Sequence, residues 1–440
     1  MKIVSGYQKA KQLLSREVSA GDYYVTPSLE KRLGEMFGTS DPEQAVRQII
    51  AEVQKRGDAA LLDYSQKIDG VRLDSLEVGQ QQIKEARYEI DSRLMSALKL
   101  AADNIYSFHV AQREAVMTGV SCMGEGTVAR PLERIGVYAP GGTASYPSTV
   151  LMTAIPAKVA GVKQVVLVTP PGSDGEVPAP VLVAADFARV DRIFRIGGAQ
   201  AIAALAFGTK TVPRVDKICG PGNIFVMLAK KLVYGAVDID GLQGPSEVVI
   251  IADEMANPAY QAAEVLAQAE HDTLASAIMI TTSQKLADEV NREIEKQLAE
   301  LERREIAAES LANGGVIAVV ESIEQAIELS NMYAPEHLCL DIRDAKDYVG
   351  KITRAGCIFI GEEPTVVIGD YVAGPSHALP TGGTARFSSP LNIMDFIKYM
   401  NVVSVDRDKL KELGPTAITI ARAEGLEAHA RVVEKRLERD

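Results

Sequence analysis

The chain has four cysteines, Cys122, Cys219, Cys339 and Cys357, and no two of them form a C-x-x-C pair. Neither a disulfide framework nor a thiolate zinc site is indicated. All four fall in apolar or strand-like surroundings and read as core, with Cys219 in Ile-Cys-Gly-Pro-Gly the one to follow. No stretch approaches the ~18 apolar residues of a membrane span, and the opening Met-Lys-Ile-Val-Ser-Gly-Tyr-Gln lacks a signal peptide's apolar core. A soluble cytoplasmic protein is expected. There is no basic run of nucleic-acid type, and a net charge of -12 from 47 basic and 59 acidic residues argues against a phosphate-backbone partner. The dinucleotide fingerprint G-x-G-x-x-G, with an acid about 20 residues on, is missing too. Histidine is scarce, at five in 440 residues: His109, His271, His337, His377 and His429.

What the chain does have is length and apolar content. At 440 residues, 47% of them hydrophobic, it exceeds the roughly 250–300 residues at which single cores stop growing. Two or more domains are expected. Ser40-Asp41-Pro42 reads as a capped start leading into Ala45, Val46, Ile49, Ile50 and Val53 at helical spacing, up to Gly57. A second helix is expected from Ser92 to about Glu114. From about 130 to 250, short apolar strands alternate with glycine turns and helices: Arg134–Tyr138, Gln164–Thr169, Arg192–Ile196 and Val215–Ile218, with turns at Gly141-Gly142, Gly197-Gly198 and Gly220-Pro-Gly222. Such alternation builds a parallel sheet wrapped by helices, and ligands of these sheets bind where strand carboxyl ends meet helix N-termini. Here that is near Tyr138, Gln200 and Asn223.

A second run follows, with strands at Val248–Ala252, Gly315–Val320, Leu338–Ile342 and Gly356–Ile360 and a charged helix at about 283–304. The expected fold is therefore α/β, with two similar Rossmann-like parallel-sheet domains, an N-terminal helical arm (1–30) and a helical C-terminal tail (392–440). The boundaries assign 138–245 to one domain and 31–137 with 246–391 to the other. In the tail, Val405 to Pro415 reads as a charged connector to a last helix of about 416–439.

The chemistry centres on Gln268-Ala-Glu-His271, at the end of an apolar-patterned run from Asn257 to Asp272. Three-residue spacing puts an amide and an imidazole on one helical face, half of a zinc site, although a solvated helix edge would look the same. Asp370, in Ile-Gly-Asp-Tyr, offers a hard oxygen or caps a turn. Glu336-His337, after Tyr-Ala-Pro and before a strand, reads as a general base and water activator exposed at a sheet edge, or as a surface pair in a turn. Pro380-Thr-Gly-Gly383-Thr-Ala-Arg386 offers backbone donors for an anion. His109 has no acid or glycine turn beside it and is left outside the site.

Gly-Pro-Ser246-Glu, Gln268-Ala-Glu-His271, Tyr-Ala-Pro-Glu336-His337, Gly-Asp370-Tyr…His377-x-Leu-Pro-Thr-Gly and Glu424…His429 stand in the order and spacing of histidinol dehydrogenase. The resemblance covers nearly the whole chain. It implies a homodimer with one zinc per subunit that oxidises L-histidinol to L-histidine through the aldehyde with two NAD, as the last step of histidine biosynthesis. By the same resemblance the zinc ligands are Gln268, His271, Asp370 and His429, and Glu336 and His337 are the proton-transfer pair. Substrate contacts add Ser246, His377 and Glu424, the cofactor lies near Tyr138, Gln200 and Asn223, and the last helix reaches into the partner subunit. Gln243 departs from the pattern, where a small residue such as Ala is expected. The alternatives are a related zinc and NAD dehydrogenase acting on another small polar alcohol, or a zinc hydrolase using Glu336 on water.

Overall fold

The computed structural model describes residues 1–16, 26–122, 126–141 and 145–438. Residues 17–25 of the expected arm, Gly142 of the expected turn and residue 439 of the expected last helix lie outside them. In chain order the strands are β1 (Lys2–Ser5), β2 (Thr127–Pro131), β3 (Arg134–Tyr138), β4 (Gln164–Thr169), β5 (Arg192–Arg195), β6 (Lys217–Cys219), β7 (Asp238–Ile239), β8 (Glu247–Ala252), β9 (Ser276–Thr281), β10 (Val316–Val319), β11 (His337–Asp341), β12 (Cys357–Ile360) and β13 (Ile397–Asn401). The chain divides into two units, residues 1–114 with 131–397, and residues 115–130 with 398–440.

The first unit holds two all-parallel sheets, ordered β5-β4-β3-β6-β7 and β1-β10-β9-β8-β11-β12. Each step β3–β4–β5–β6–β7 crosses through a helix (Pro147–Ala160, Ala179–Phe187, Gly198–Phe207, Ile224–Val233), and a parallel pair requires such a crossover. Strand order reverses between β3 and β6. That topological switch point leaves a crevice outside the strands' carboxyl ends, where Tyr138 ends β3 and Gly220-Pro-Gly222-Asn223 follows β6. Val46, Ile49 and Val53 of the helix Pro42–Arg56 join Phe194, Ile202 and Val226 in one buried cluster. The segment assigned by sequence to the other half thus covers this sheet.

In the second sheet β8 and β9 are central and buried along nearly their whole length. The missed strand β9, Ser-Ala-Ile-Met-Ile-Thr, lacks a polar alternation because both of its faces are covered. The N-terminus also departs from the expected arm: β1 pairs with β10, Lys2 against Val316 through Ser5 against Val319. The helix Tyr7–Leu14 then buries Ala10 and Leu14 against Ile327, Leu329 and Tyr333. The expected charged helix is Gln284–Leu298, and a further helix not read from the sequence follows at Arg304–Gly314.

The second unit contains the C-terminal part, where β13 pairs with β2. Helix Arg407–Ala423 starts on an Asp406 cap and runs through Pro415 before a turn and helix Glu427–Leu437. The expected connector is helical because Gly414 admits the second helix: a Cβ there would lie 3.0 Å from Leu437 and 3.1 Å from Val433. Packing outweighs the one N–H that Pro415 removes. Among the described residues no helix is long and apolar enough to cross a membrane.

Candidate active site

At the switch point, the Tyr138 hydroxyl oxygen accepts the Gly198 N–H at 3.1 Å. Asn223 caps the helix Ile224–Val233, accepting from Phe225 and Val226 N–H at 3.1 and 3.2 Å. Gly220 (φ +117°) is required here, since a Cβ would fall 2.1 Å from the Tyr138 carbonyl oxygen. Gln200 is 1% exposed, yet neither its amide nitrogen nor its amide oxygen has a hydrogen-bond partner. A cleft of about 160 Å³ opens here, bounded by Leu33, Ile49, Ile68, Gly198, Gln200 and Asn223 among others. Buried polar atoms without partners are uncommon and call for a ligand or water. Of the three residues expected to face a cofactor, Gln200 and Asn223 line this cleft, and the buried Tyr138 meets it through its hydrogen bond with Gly198.

Lys230 sits beneath the crevice, 1% exposed. Its ammonium donates to the Gly220 carbonyl at 3.0 Å, Asp240 Oδ1 at 2.5 Å and Gln243 Oε1 at 2.8 Å. Three donors meet three acceptors, which accounts for Gln243 where a small residue was expected. Cys219 is buried beside this network, and burial pushes its thiol up, as it does those of Cys339 and Cys357, the last to about 11. None of the three is an activated thiolate.

A second cluster forms at the amino ends of β8 and β11, opposite to the carboxyl-end rule that the first sheet obeys. Glu247 is its hub. Its backbone N–H donates to Glu336 Oε2 at 2.9 Å, and the Ser246 hydroxyl reaches the same oxygen at 2.8 Å. Its carbonyl accepts His337 Nδ1–H at 3.0 Å, fixing that ring, and His337 Nε2 faces Asp370 Oδ1 at 3.3 Å. The Glu247 carboxylate is gripped by two Arg16 bonds of 2.7 Å and by the Gly382 N–H at 3.1 Å. The anion that the Thr-Gly-Gly turn holds is thus the protein's own.

The expectation that Glu336 and His337 lie exposed at a sheet edge is corrected. β11 runs between β8 and β12, and the two side chains belong to residues only 7% and 3% exposed. Burial pushes Glu336 up to about 7, against the lowering pull of His337 and its hydrogen bonds. For His337 burial pulls down, but the Glu336 and Asp370 carboxylates prevail and hold it up at about 9. Asp370 stays below its usual value although burial opposes ionisation, because His337 bonds it and the charge of that ring favours the carboxylate. His377 donates from Nδ1 to the Asp370 carbonyl at 2.8 Å and meets Thr149 Oγ1 through Nε2 at 3.3 Å. Burial keeps it neutral, pulling its pKa down.

The run from Asn257 is a helix only over Pro258–Ala269. His271 lies past its end, in a turn where its N–H meets the Gln268 carbonyl at 3.3 Å, so the two do not share one continuous helical face. Gln268 is 3% exposed and its amide nitrogen has no partner. His271 is exposed at the surface, and the partial desolvation of its ring lowers its pKa and favours the neutral form. Among the described residues no three His, Cys, Asp or Glu side chains form a metal-holding group. His429 and Glu424 belong to the second unit, where both are exposed. His109 is buried in its long helix, bonded to Gln112 at 3.1 Å.

Sequence reasoning missed three members of the cluster. Glu247 and Arg16 make its frame, and only the acid after Ser246 carried a local hint. Glu264, one turn before Gln268, has a buried oxygen without a partner, and burial raises its pKa. An acid four residues ahead of the Gln268 amide was legible.

The sequence profile of the histidinol dehydrogenase family matches residues 35–437. The chain is similar to a histidinol dehydrogenase of Dehalococcoides mccartyi (strain CBDB1), 58% identical over 438 residues and covering 100% of both chains. One from Halalkalibacterium halodurans is 49% identical over 406 residues, 91% of this chain and 95% of that protein. The crystal structure of histidinol dehydrogenase from Elizabethkingia anophelis superposes with a TM-score of 0.87 at 35% identity, covering 100% of this chain and 98% of that one.

Proposed function

The chain belongs to the histidinol dehydrogenase family, and from that premise we propose that it oxidises L-histidinol to L-histidine through L-histidinaldehyde, reducing two NAD in turn. The carrying observation is that Glu336 and His337, adjacent in sequence, are both anchored on the Glu247 backbone and buried. His337 has Nδ1 committed to a carbonyl, so Nε2, which faces Asp370, is the atom that takes the hydroxyl proton as the first hydride leaves, and it does so from its neutral form, which the Glu336 and Asp370 carboxylates disfavour below about pH 9. Glu336, held near 7 by burial, takes a proton from the water that adds to the aldehyde. The resulting hydrate gives up the second hydride and leaves as the acid. Two proton acceptors suit two oxidations better than the single water activation of a hydrolase. Appearance of reduced nicotinamide absorbance on adding histidinol and NAD separates the two readings.

Zinc is part of this reading, and the donor set fits it. The buried Gln268 amide offers an oxygen, His271 is drawn toward its neutral form and Asp370 is held ionised, which are nitrogen and oxygen donors of the kind zinc accepts. These three would hold the ion with His429 as the fourth ligand. When bound, zinc supplies a fixed positive centre that grips the substrate's imidazole and amine. Ser246, His377 and Glu424 complete the substrate contacts, and Tyr138, Gln200 and Asn223 face the cofactor.

In the proposed homodimer, His429 and Glu424 serve the other subunit's site. The second unit supports this with exposed apolar side chains, Val403 at 87% and Ile420 and Val432 at 54% each, a face of the kind that marks an interface. Mixing two inactive variants tests it. His271→Asn and His429→Asn chains refolded together in equal amounts form about half mixed dimers, each with one intact site, so activity returns to about a quarter of wild type. A mixture that stays dead, while wild type refolds alongside, rejects shared sites.

A further inference from the structure

Asp69 ends a π-helical turn, Ser65–Asp69, that extends the helix Asp58–Tyr64 and stops at Gly70 in the left-handed region. Turns of this width recur at functional sites. One oxygen of the Asp69 carboxylate is buried and has no hydrogen-bond partner, and nothing opposes the desolvation that pushes the acid up to about 6. No ion pair of the described residues uses it. Its surroundings point to one place. Ile68 lines the switch-point cleft, and the Asp69 charge acts on the buried Tyr138 phenol, whose oxygen takes the Gly198 N–H. On the same cleft lies the Gln200 amide, 1% exposed with both polar atoms unsatisfied. A buried amide on the cleft and a half-buried acid next to its wall residue Ile68, both with polar atoms short of partners, lie at the end of a doubly wound sheet.

Dinucleotide sites of such sheets commonly place an acid against the ribose hydroxyls, about 20 residues beyond the glycine turn. The acids at that distance from Gly220 are already engaged, Asp238 by Lys217 and Asp240 by Lys230 and the Gly220 N–H. We propose that Asp69, brought from far earlier in the chain, fills that role: its carboxylate accepts the ribose hydroxyls of the dinucleotide in the cleft and selects NAD over the 2′-phosphorylated NADP. At neutral pH the acid is ionised, an acceptor for a diol and a repulsive neighbour for a phosphate dianion. Arg32, which lines the same cleft and reaches the Ile68 carbonyl at 3.5 Å, is the opposing influence. It is exposed to solvent, and its charge is screened where that of Asp69 is not.

The inference rests on the NAD-linked reading above, and titration calorimetry with NAD and with NADP on the metal-replete protein tests the two separately. Wild type should bind NAD at least tenfold more tightly than NADP. Asp69→Asn keeps the shape and removes a half-buried charge, so the variant should fold, with a melting temperature no lower than wild type. Its NAD affinity should fall about tenfold, as for loss of a charge-assisted hydrogen bond, while NADP affinity holds or rises. An unchanged NAD to NADP ratio in the variant, whether both affinities stay or both fall together, overturns the assignment to Asp69 and leaves NAD dependence intact. Wild type preferring NADP gives the role to Arg32 and also overturns it. Wild type binding neither dinucleotide defeats the NAD reading itself.

Discussion

Stripping the protein with a strong chelator is expected to lower histidinol turnover by at least about a hundredfold while its circular dichroism stays unchanged, and added zinc restores the rate. The metal in this account holds substrate rather than the fold. Gln268 and His271 sit at the end of one helix and in the turn after it, and Asp370 is in the short helix Val366–Tyr371. The sheets behind them are closed by strands such as β8, whose six residues are all buried. A core of this kind does not depend on a metal clip, unlike a zinc finger, which unfolds without its ion. Removing the ion leaves Asp370 bonded to His337, so its charge keeps a partner. Global unfolding on chelation, or full activity without metal, contradicts a substrate-holding ion.

Replacing Glu336 with Gln should separate the two oxidations. The amide is isosteric and its oxygen can still accept from Ser246 and the Glu247 N–H, so the local frame survives. What it cannot do is take a proton from water, a contribution of about 10²–10⁴ in rate. In single-turnover experiments supplied histidinaldehyde should therefore be oxidised about 10²–10⁴-fold more slowly. The first hydride transfer, which uses His337, should change less than about tenfold. His337→Asn should slow the alcohol step instead. The pH dependence follows the same sign: Glu336 acts as carboxylate, and burial holds it up at about 7. Aldehyde oxidation in wild type thus rises with pH through about 7, and the Gln variant loses that rise. Normal aldehyde turnover by the Gln variant removes the base role from Glu336.

The first sheet was legible because its strands are short buried runs separated by glycine turns, and β3 and β4 lie where periodicity put them. β1 and β9 were not. Lys-Ile-Val-Ser is too short to read, and it becomes a strand only because β10, more than 300 residues away, offers an open edge. β9 lies deep in the sheet and so shows no alternation. The ligand types around Gln268, His271 and Asp370 were visible as residues, but the end of the helix at Ala269 was not, since Glu270-His271-Asp272 continues a helical pattern. Glu336 and His337 looked like a turn at an edge because the sequence does not show that β12 lies outside β11. The frame under them, Arg16 on Glu247, joins segments far apart in the chain, and no local pattern encodes it. Gln243 departs from the expected small residue because the buried Lys230 ammonium needs a third acceptor.

The most direct measurement is the ratio of nicotinamide reduced to histidinol consumed by metal-replete protein in excess NAD. Two reduced cofactors per histidinol are expected, with histidine as the only accumulating product. One reduced cofactor with accumulating aldehyde, or none at all, contradicts a four-electron oxidation at this site.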